Sequence, residues 1–285
     1  MADSDTRTDS PKSQMLVAPS NTWRFLDLRE LWRYRELFYF LAWRDVKVRY
    51  KQTILGGAWA VLQPLLMMVA FTFMFQRIAK VDTNGIPYPV YVFAGLLPWI
   101  YFSNSISQAT NSLVASQNLI TKVYFPRVIL PAASIGASLF DFAIAFGVIA
   151  VMMLWYGVPT SFTILLLPIF VMLISLAAAG FAVLLSGLAV AYRDVRYVMP
   201  FLVQAWLFLT PSVYTSAESL QLSRAVSLLL AVNPAHGLIL NFRAAIFGTE
   251  FDAACLGVST ASAAMVFILG GITFRRVERR FADII

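Results

Sequence analysis

Charge is scarce in this sequence, and so are the residues that usually carry chemistry. Asp, Glu, Lys and Arg make up 13% of the 285 residues, and between Asp82 and Lys122 there is no charged residue at all. The one cysteine, Cys255, can form no intrachain disulfide, and a small buried hydrophobe is its simplest role. The one histidine, His236, has no Cys, His or acidic companion at ligand spacing. That argues against a metal site and leaves a polar contact at a helix break as the expectation. No G-x-x-x-x-G-K-S/T run occurs, so nothing in the chain cradles a nucleoside triphosphate, and energy for active transport must come from another chain. The Asp-x-Asp triplet Asp3-Ser4-Asp5 lies in a start rich in Ser, Thr, Asp and Pro. Residues 1–22 read as a disordered cytoplasmic tail rather than a signal peptide, a poor place to preorganise a glycosyl-transfer site.

What is present in abundance is apolar surface: 59% of residues are hydrophobic, 14% are aromatic, and mean hydropathy is +0.72. These values place the chain among all-α polytopic membrane proteins, with the bilayer as its solvent. Six apolar runs reach the ~20 residues that a helical span needs, at about 54–76, 91–113, 128–156, 162–191, 197–216 and 253–274. With the N-terminus inside, all but four of the 22 Lys and Arg fall on the cytoplasmic side; the exceptions are Arg77, Lys80, Arg224 and Arg243. This satisfies the positive-inside rule and puts both termini, including residues 275–285, in the cytoplasm. The same placement explains the net charge of +7 without nucleic acid.

Two further segments flank the spans. Residues 23–52 are aromatic and basic, with Leu31, Tyr34, Phe38 and Leu41 forming one apolar stripe, as expected of a helix lying in the headgroup layer; a soluble helix packed on a partner is the alternative. Residues 219–248 are too apolar for a free loop and too broken for a span. Two short helices re-entering the outer leaflet around Asn233-Pro234 fit them, as does a plain interfacial cap.

The second apolar run is the odd one. Its outer half, Tyr91 to Phe102, is aromatic and aliphatic, whereas Ser103 to Ser112 offers hydroxyls and amides on every side. Hydrocarbon does not solvate such groups, so they are expected to face other helices or a wet path. Rings beside amides and hydroxyls are the chemistry of a polyol path, with Trp99, Tyr101, Phe102, Trp206, Phe208 and Tyr214 as the rings, although most of these must serve packing. Asp141 is the one carboxylate well inside a span. A proton relay needs a chain of titratable groups, so the favoured reading is a structural partner for the Ser and Asn groups of the neighbouring span. After the polar helix comes Asn118-Leu119-Ile120-Thr121-Lys122-Val123-Tyr124-Phe125-Pro126-Arg127, a short amphipathic piece bracketed by cations, which reads as a cytoplasmic handle.

That handle, with Gly95-Leu96-Leu97-Pro98-Trp99, Tyr192-Arg193-Asp194-Val195, Pro211, Asn233-Pro234 and Phe242-Arg243, resembles the membrane permease of polysaccharide-export ABC transporters. That family exports O-antigen, capsule and teichoic-acid polymers on lipid carriers, and the likeness runs from about Trp23 to the C-terminus. The resemblance implies a type-2 exporter permease: a homodimer of six-span subunits (domain 53–274) in the bacterial inner membrane, paired with two copies of an ATPase chain that binds the ATP and Mg. It implies no cofactor or metal in this chain. Within 117–127, Asn118, Leu119, Ile120, Thr121, Lys122, Val123, Tyr124 and Phe125 would couple to the ATPase. Tyr34, Phe38, Trp43, Arg44, Arg49 and Tyr50 would belong to a gate helix, and 219–248 would close the outer mouth. Spans one, two and five would line the channel with Trp59, Gln63, Tyr101, Asn104, Ser105, Gln108, Asn111, Ser112, Gln204, Phe208 and Tyr214. The chain departs from the family at Leu240-Asn241, where an acidic residue is usual, and at His236.

A lipid-linked glycan is thus the expected substrate and the chain no enzyme. Efflux of drugs or small lipids is the alternative within the resemblance. A membrane enzyme acting on polyprenyl-linked sugars lacks the paired carboxylates or metal constellation it would need, and a scaffold recruiting cytoplasmic enzymes is a third possibility.

Overall fold

The computed structural model describes residues 32–51, 53, 56–78, 83, 85–214 and 223–278; the tail 1–22, the start of the gate segment and the last residues of the C-terminus lie outside them. Every regular element among the described residues is helical. In chain order they are α1 (Arg35–Lys51), α2 (Trp59–Phe71), α3 (Tyr88–Ala115), α4 (Gln117–Ile120), α5 (Ile129–Tyr156), α6 (Leu167–Ala191), α7 (Asp194–Phe208), α8 (Arg224–Ala231), α9 (Pro234–Phe247) and α10 (Ala253–Glu278). A tight turn at Gly56–Ala58 leads into α2, which widens into a π-helical stretch, Thr72–Ile78. Four helical segments among the described residues are long and apolar enough to cross a membrane: Gly56–Gln76, Ile129–Tyr156, Phe162–Ala191 and Ala253–Glu278. The pair α8–α9, bent by 108° at Asn233, would add a fifth if counted as one span.

The centre of the molecule is α3. At 28 residues it is about 42 Å long, and every residue from Val90 to Trp99 is buried. It packs on α5 and α6, while α10 lies along α6 and α9 inserts between them near the start of α3. The α9 helix is buried on nearly all sides, from Pro234 through Ile246. Its start is capped by the Asn233 side chain, which accepts from Ala235 N at 3.1 Å and donates through Nδ2 to Thr210 Oγ1 at 2.9 Å. Its middle is pinned by Arg243, whose guanidinium carbon lies 3.9 Å from the centre of the Tyr91 ring. His236, in the first turn of α9, is buried with no hydrogen-bond partner at Nδ1. The polar contact at the helix break is made by Asn233, correcting the expectation for His236. Cys255 is buried, as its composition suggested.

The apolar run expected to span 197–216 is not one helix. The helix there, α7, starts at Asp194 and ends after 15 residues at Phe208, about 22 Å of rise against the ~30 Å of a hydrocarbon core. The chain then turns at Thr210 (φ −121°, ψ 71°) into a single tight turn, Pro211–Val213. Proline supplies no N–H for a continuing helix and disfavours helical backbone in the residue before it, which hydropathy does not register.

That turn explains the glycine of Gly95-Leu96-Leu97-Pro98-Trp99. A Cβ at position 95 would lie 2.3 Å from the carbonyl oxygen of Val213, so the turn and α3 approach as closely as a residue without a side chain allows. Gly95→Ala must separate α3 from the turn, and an overpacking penalty of about 1–3 kcal/mol is expected. The melting temperature of the purified permease should fall by several degrees; an unchanged value would show that the two elements are not packed this tightly.

Candidate functional site

Between α1, α2, α3 and α5 lies a cavity of about 290 Å³. Its wall combines the rings of Trp59 and Tyr101, the amides of Gln63, Asn104 and Gln108, and the charged pair Arg49 and Asp141 with Tyr50 beside them. Two segments far apart in sequence, the end of α1 and the middle of α5, therefore meet at the polar half of α3.

The polar half of α3 is less wet than its composition suggests. Thr110 donates to the carbonyl of Ile106 at 2.7 Å, Ser112 to Ala109 at 2.7 Å, Ser103 to Ile100 at 3.2 Å and Asn111 to Ser107 at 3.0 Å. Short polar side chains can satisfy themselves on carbonyls three or four residues back along their own helix, a third option beside neighbouring helices and water. Ser105 is fully buried and does not line this cavity. What remains open is a stripe at helical spacing, Asn104, Ser107, Gln108 and Asn111, of which Asn104 and Gln108 reach the cavity.

Of the expected lining residues, the structure brings together Trp59, Gln63, Tyr101, Asn104 and Gln108, and adds Arg49 and Tyr50 from the gate set. It does not bring Ser105, Asn111, Ser112, Gln204, Phe208 or Tyr214 to this cavity. Gln204 and Phe208 are exposed on α7, whose face also carries Phe201 and Leu202. Tyr214 stacks on Phe75 at 4.8 Å and Phe71 at 5.8 Å, tying the end of α2 to the turn after α7. Trp99, Phe102 and Trp206 form a packed aromatic cluster with Phe181, at centroid distances from 4.8 to 6.4 Å. Most of the rings considered for a sugar path are therefore packing, and Trp59, 45% exposed, is the accessible ring of the cavity.

Asp141 receives a correction. Its carboxylate accepts from Arg49 on one oxygen and from the Tyr50 hydroxyl on the other, rather than meeting the Ser and Asn groups of α3. Arg49 donates its second terminal nitrogen to Gln108, so one guanidinium bridges α1, α3 and α5. Burial draws the Arg49 guanidinium below its ordinary value and raises the Tyr50 phenol. No sequence signal paired these residues: Arg49 and Asp141 are 92 positions apart.

The rest of the gate set lies along the same α1–α5 contact. The Phe38 ring tip would be 3.1 Å from a Cβ at Gly136, Trp43 meets Phe140 edge-on at 6.1 Å, and Tyr34 packs at the foot of the interface. Arg44 pairs with its neighbour Asp45 at 2.9 Å and faces outward. At the other end of α3, the segment expected as a coupling helix over 117–127 is a single helical turn, α4, followed by turns to Val128. Leu119 and Ile120 are half-buried, and Phe125 is buried against Leu41, Leu113, Ile129 and Phe274. Asn118, Thr121, Lys122, Val123 and Tyr124 are exposed, Tyr124 to 84%. Buried residues thus fix the loop while its tip presents a cation and a free ring.

A helical membrane protein with one helix, α1, bonded across a polar cavity, and a loop with a buried base projecting at one end, has parts that suit a transporter permease. The chain belongs to the ABC-2 type transporter family, whose model matches residues 36–247. It is 29% identical over 258 residues to the O-antigen export system permease protein RfbA of Myxococcus xanthus, covering 90% of this chain and 98% of that one. It is 25% identical over 243 residues to the protein of the same name from Klebsiella pneumoniae, covering 85% and 92%. Over 76 residues it is 28% identical to the polysialic acid transport protein KpsM of Escherichia coli, covering 27% of this chain and 30% of that one.

The two faces of the loop predict opposite outcomes. Phe125→Ala removes a buried ring and should destabilise the isolated permease by about 3–5 kcal/mol. Tyr124→Ala should leave its melting curve within about 0.5 kcal/mol of the parent. Equal effects in thermal melts of the two variants would contradict the assigned orientation.

Proposed function

We propose that this chain is the membrane permease of an ATP-driven exporter that carries a lipid-linked polysaccharide from the cytoplasmic to the outer face of a bacterial inner membrane. The observation that carries the reading is near end-to-end similarity to permeases named for O-antigen export. The cavity supports it chemically: Trp59 offers a face for the C–H side of a sugar ring, and Gln63, Asn104 and Gln108 offer donors and acceptors to its hydroxyls.

In this reading six segments cross the membrane: α2 with its π-helical end, α3, α5, α6, α7 with the Pro211 turn, and α10. Both termini are cytoplasmic and the α8–α9 hairpin closes the outer mouth. Two copies of the chain form the channel. In support, α2 leaves Leu66, Val69, Phe73 and Met74 exposed, and α7 leaves Phe201, Leu202, Phe208 and Leu209, apolar faces that a second copy and lipid would cover. Two copies of a separate ATPase bind ATP and Mg and seat on the loop tip, with Asn118, Thr121, Lys122 and Tyr124 in contact and Leu119, Ile120 and Phe125 as the rigid base. The chain itself performs no catalysis.

The test pairs two sets of variants in the native host. Lys122→Ala with Tyr124→Ala should detach the ATPase on co-purification or reduce export at least tenfold while membrane insertion is normal. Trp59→Ala with Asn104→Leu should keep the ATPase bound and leave full-length glycan inside the cell, read by fractionation and surface labelling. Undiminished surface glycan in the second set would refute a path through this cavity.

A further inference from the structure

The last turn of α1 is held differently from the rest of that helix. Leu41 and Val46 are its buried apolar residues, and Leu41 sits in the cluster with Phe125, Ile129, Leu130 and Phe274. From Lys47 to Lys51 no residue is buried, and Val48 is 71% exposed. What fastens this turn is polar: Arg49 to Asp141 and Gln108, and Tyr50 to Asp141. Five residues beyond Lys51 the chain passes Gly56 at φ +51°, where a Cβ would meet nothing within 4 Å, an elbow suited to a change of direction. Apolar packing is non-directional and slides; a bridged ion pair in a half-dry cavity is either made or broken.

We propose that the Arg49–Asp141 pair, braced by Tyr50 and Gln108, is a releasable latch, with Asp141 a positioning residue that holds the end of the gate helix across the cavity. When it is made, α1, α3 and α5 are tied at one point and the space beside Trp59, Gln63 and Asn104 is walled on the α1 side. When it is broken, the last turn of α1 has no buried apolar residue to keep it there, the Gly56 elbow lets it swing, and the cavity opens sideways toward the headgroup layer. The two functions of α1 separate along its length: Leu41 keeps the helix docked on the base that carries the coupling loop, and Arg49 decides whether the cavity is shut. This deepens the transport reading and rests on it for the meaning of opening, but the latch itself is a property of the permease.

The experiment uses the full-length permease assembled with its ATPase in lipid nanodiscs. Hydrogen exchange of backbone amides in residues 46–51 reports the latch, and glycan exported per ATP hydrolysed reports its use. Asp141→Asn should accelerate exchange in 46–51 at least tenfold, leave α6 and α10 unchanged, and lower the export-to-ATP ratio at least threefold; Asp141→Glu, which keeps the carboxylate, should restore both to within twofold of the parent. Should Asp141→Asn not assemble, Gln108→Ala removes only the second arm and should raise exchange in 46–51 about threefold. Exchange unchanged in these variants overturns the latch. Faster exchange with an unchanged export-to-ATP ratio also overturns it, leaving a contact without a gating role. Loss of the transport reading looks different: export then survives changes at Trp59 and Asn104, whatever residues 46–51 do.

Discussion

Hydrocarbon solvates no polar group, and the architecture around α3 follows from where its polar side chains find partners. The α3 helix carries many such groups at the centre of the bundle. The hydroxyls of Ser103, Thr110 and Ser112 turn back onto their own helix's carbonyls, Asn104 and Gln108 open onto the cavity, and Arg49 reaches in from another helix to meet the carboxylate that α5 places there. The cavity exists where self-satisfaction runs out.

That arrangement links the two ends of the molecule mechanically. The start of α3 is clamped by Arg243 over Tyr91 and by the Val213 carbonyl on Gly95, while its end runs into the loop whose base is Phe125. Phe125 and Leu41 belong to one apolar cluster, so the base of the loop packs on α1 as well as running on from α3, and in the proposed transporter a push on the exposed tip at Lys122 and Tyr124 would reach both helices. A rigid base under an exposed tip is what a coupling element requires if force from a partner is to reach the cavity rather than be absorbed locally.

Much of this was legible in the residues alone. Apolar runs gave the helices at 129–156, 167–191 and 253–278 nearly to their ends, because long apolar segments in a bilayer have no alternative to helix. The broken pair around Asn233-Pro234 was visible from the proline and the short run before it. The early end of α7 was not read, because apolar residues continue through Thr210-Pro211 and hydropathy is blind to a missing N–H. In the polar helix the misleading feature was uniform polarity. Ser103, Thr110, Ser112 and Asn111 back-bond, whereas Asn104 and Gln108 reach the cavity, and side-chain type alone does not separate Asn104 from Asn111. The partner of Asp141 could not have been found, because one sequence holds no information on which of many distant cations comes to it.

The central claim is that a glycan crosses beside Asn104 and Trp59 rather than along the lipid-facing side of the bundle. A photoreactive amino acid placed at position 104, and separately at the 82% exposed position of Leu154, tests it in the transporter during ATP turnover. The account predicts a glycan adduct at position 104 that requires ATP, and none at position 154. An adduct at 154 as strong as that at 104, or none at 104 while export proceeds, would contradict it.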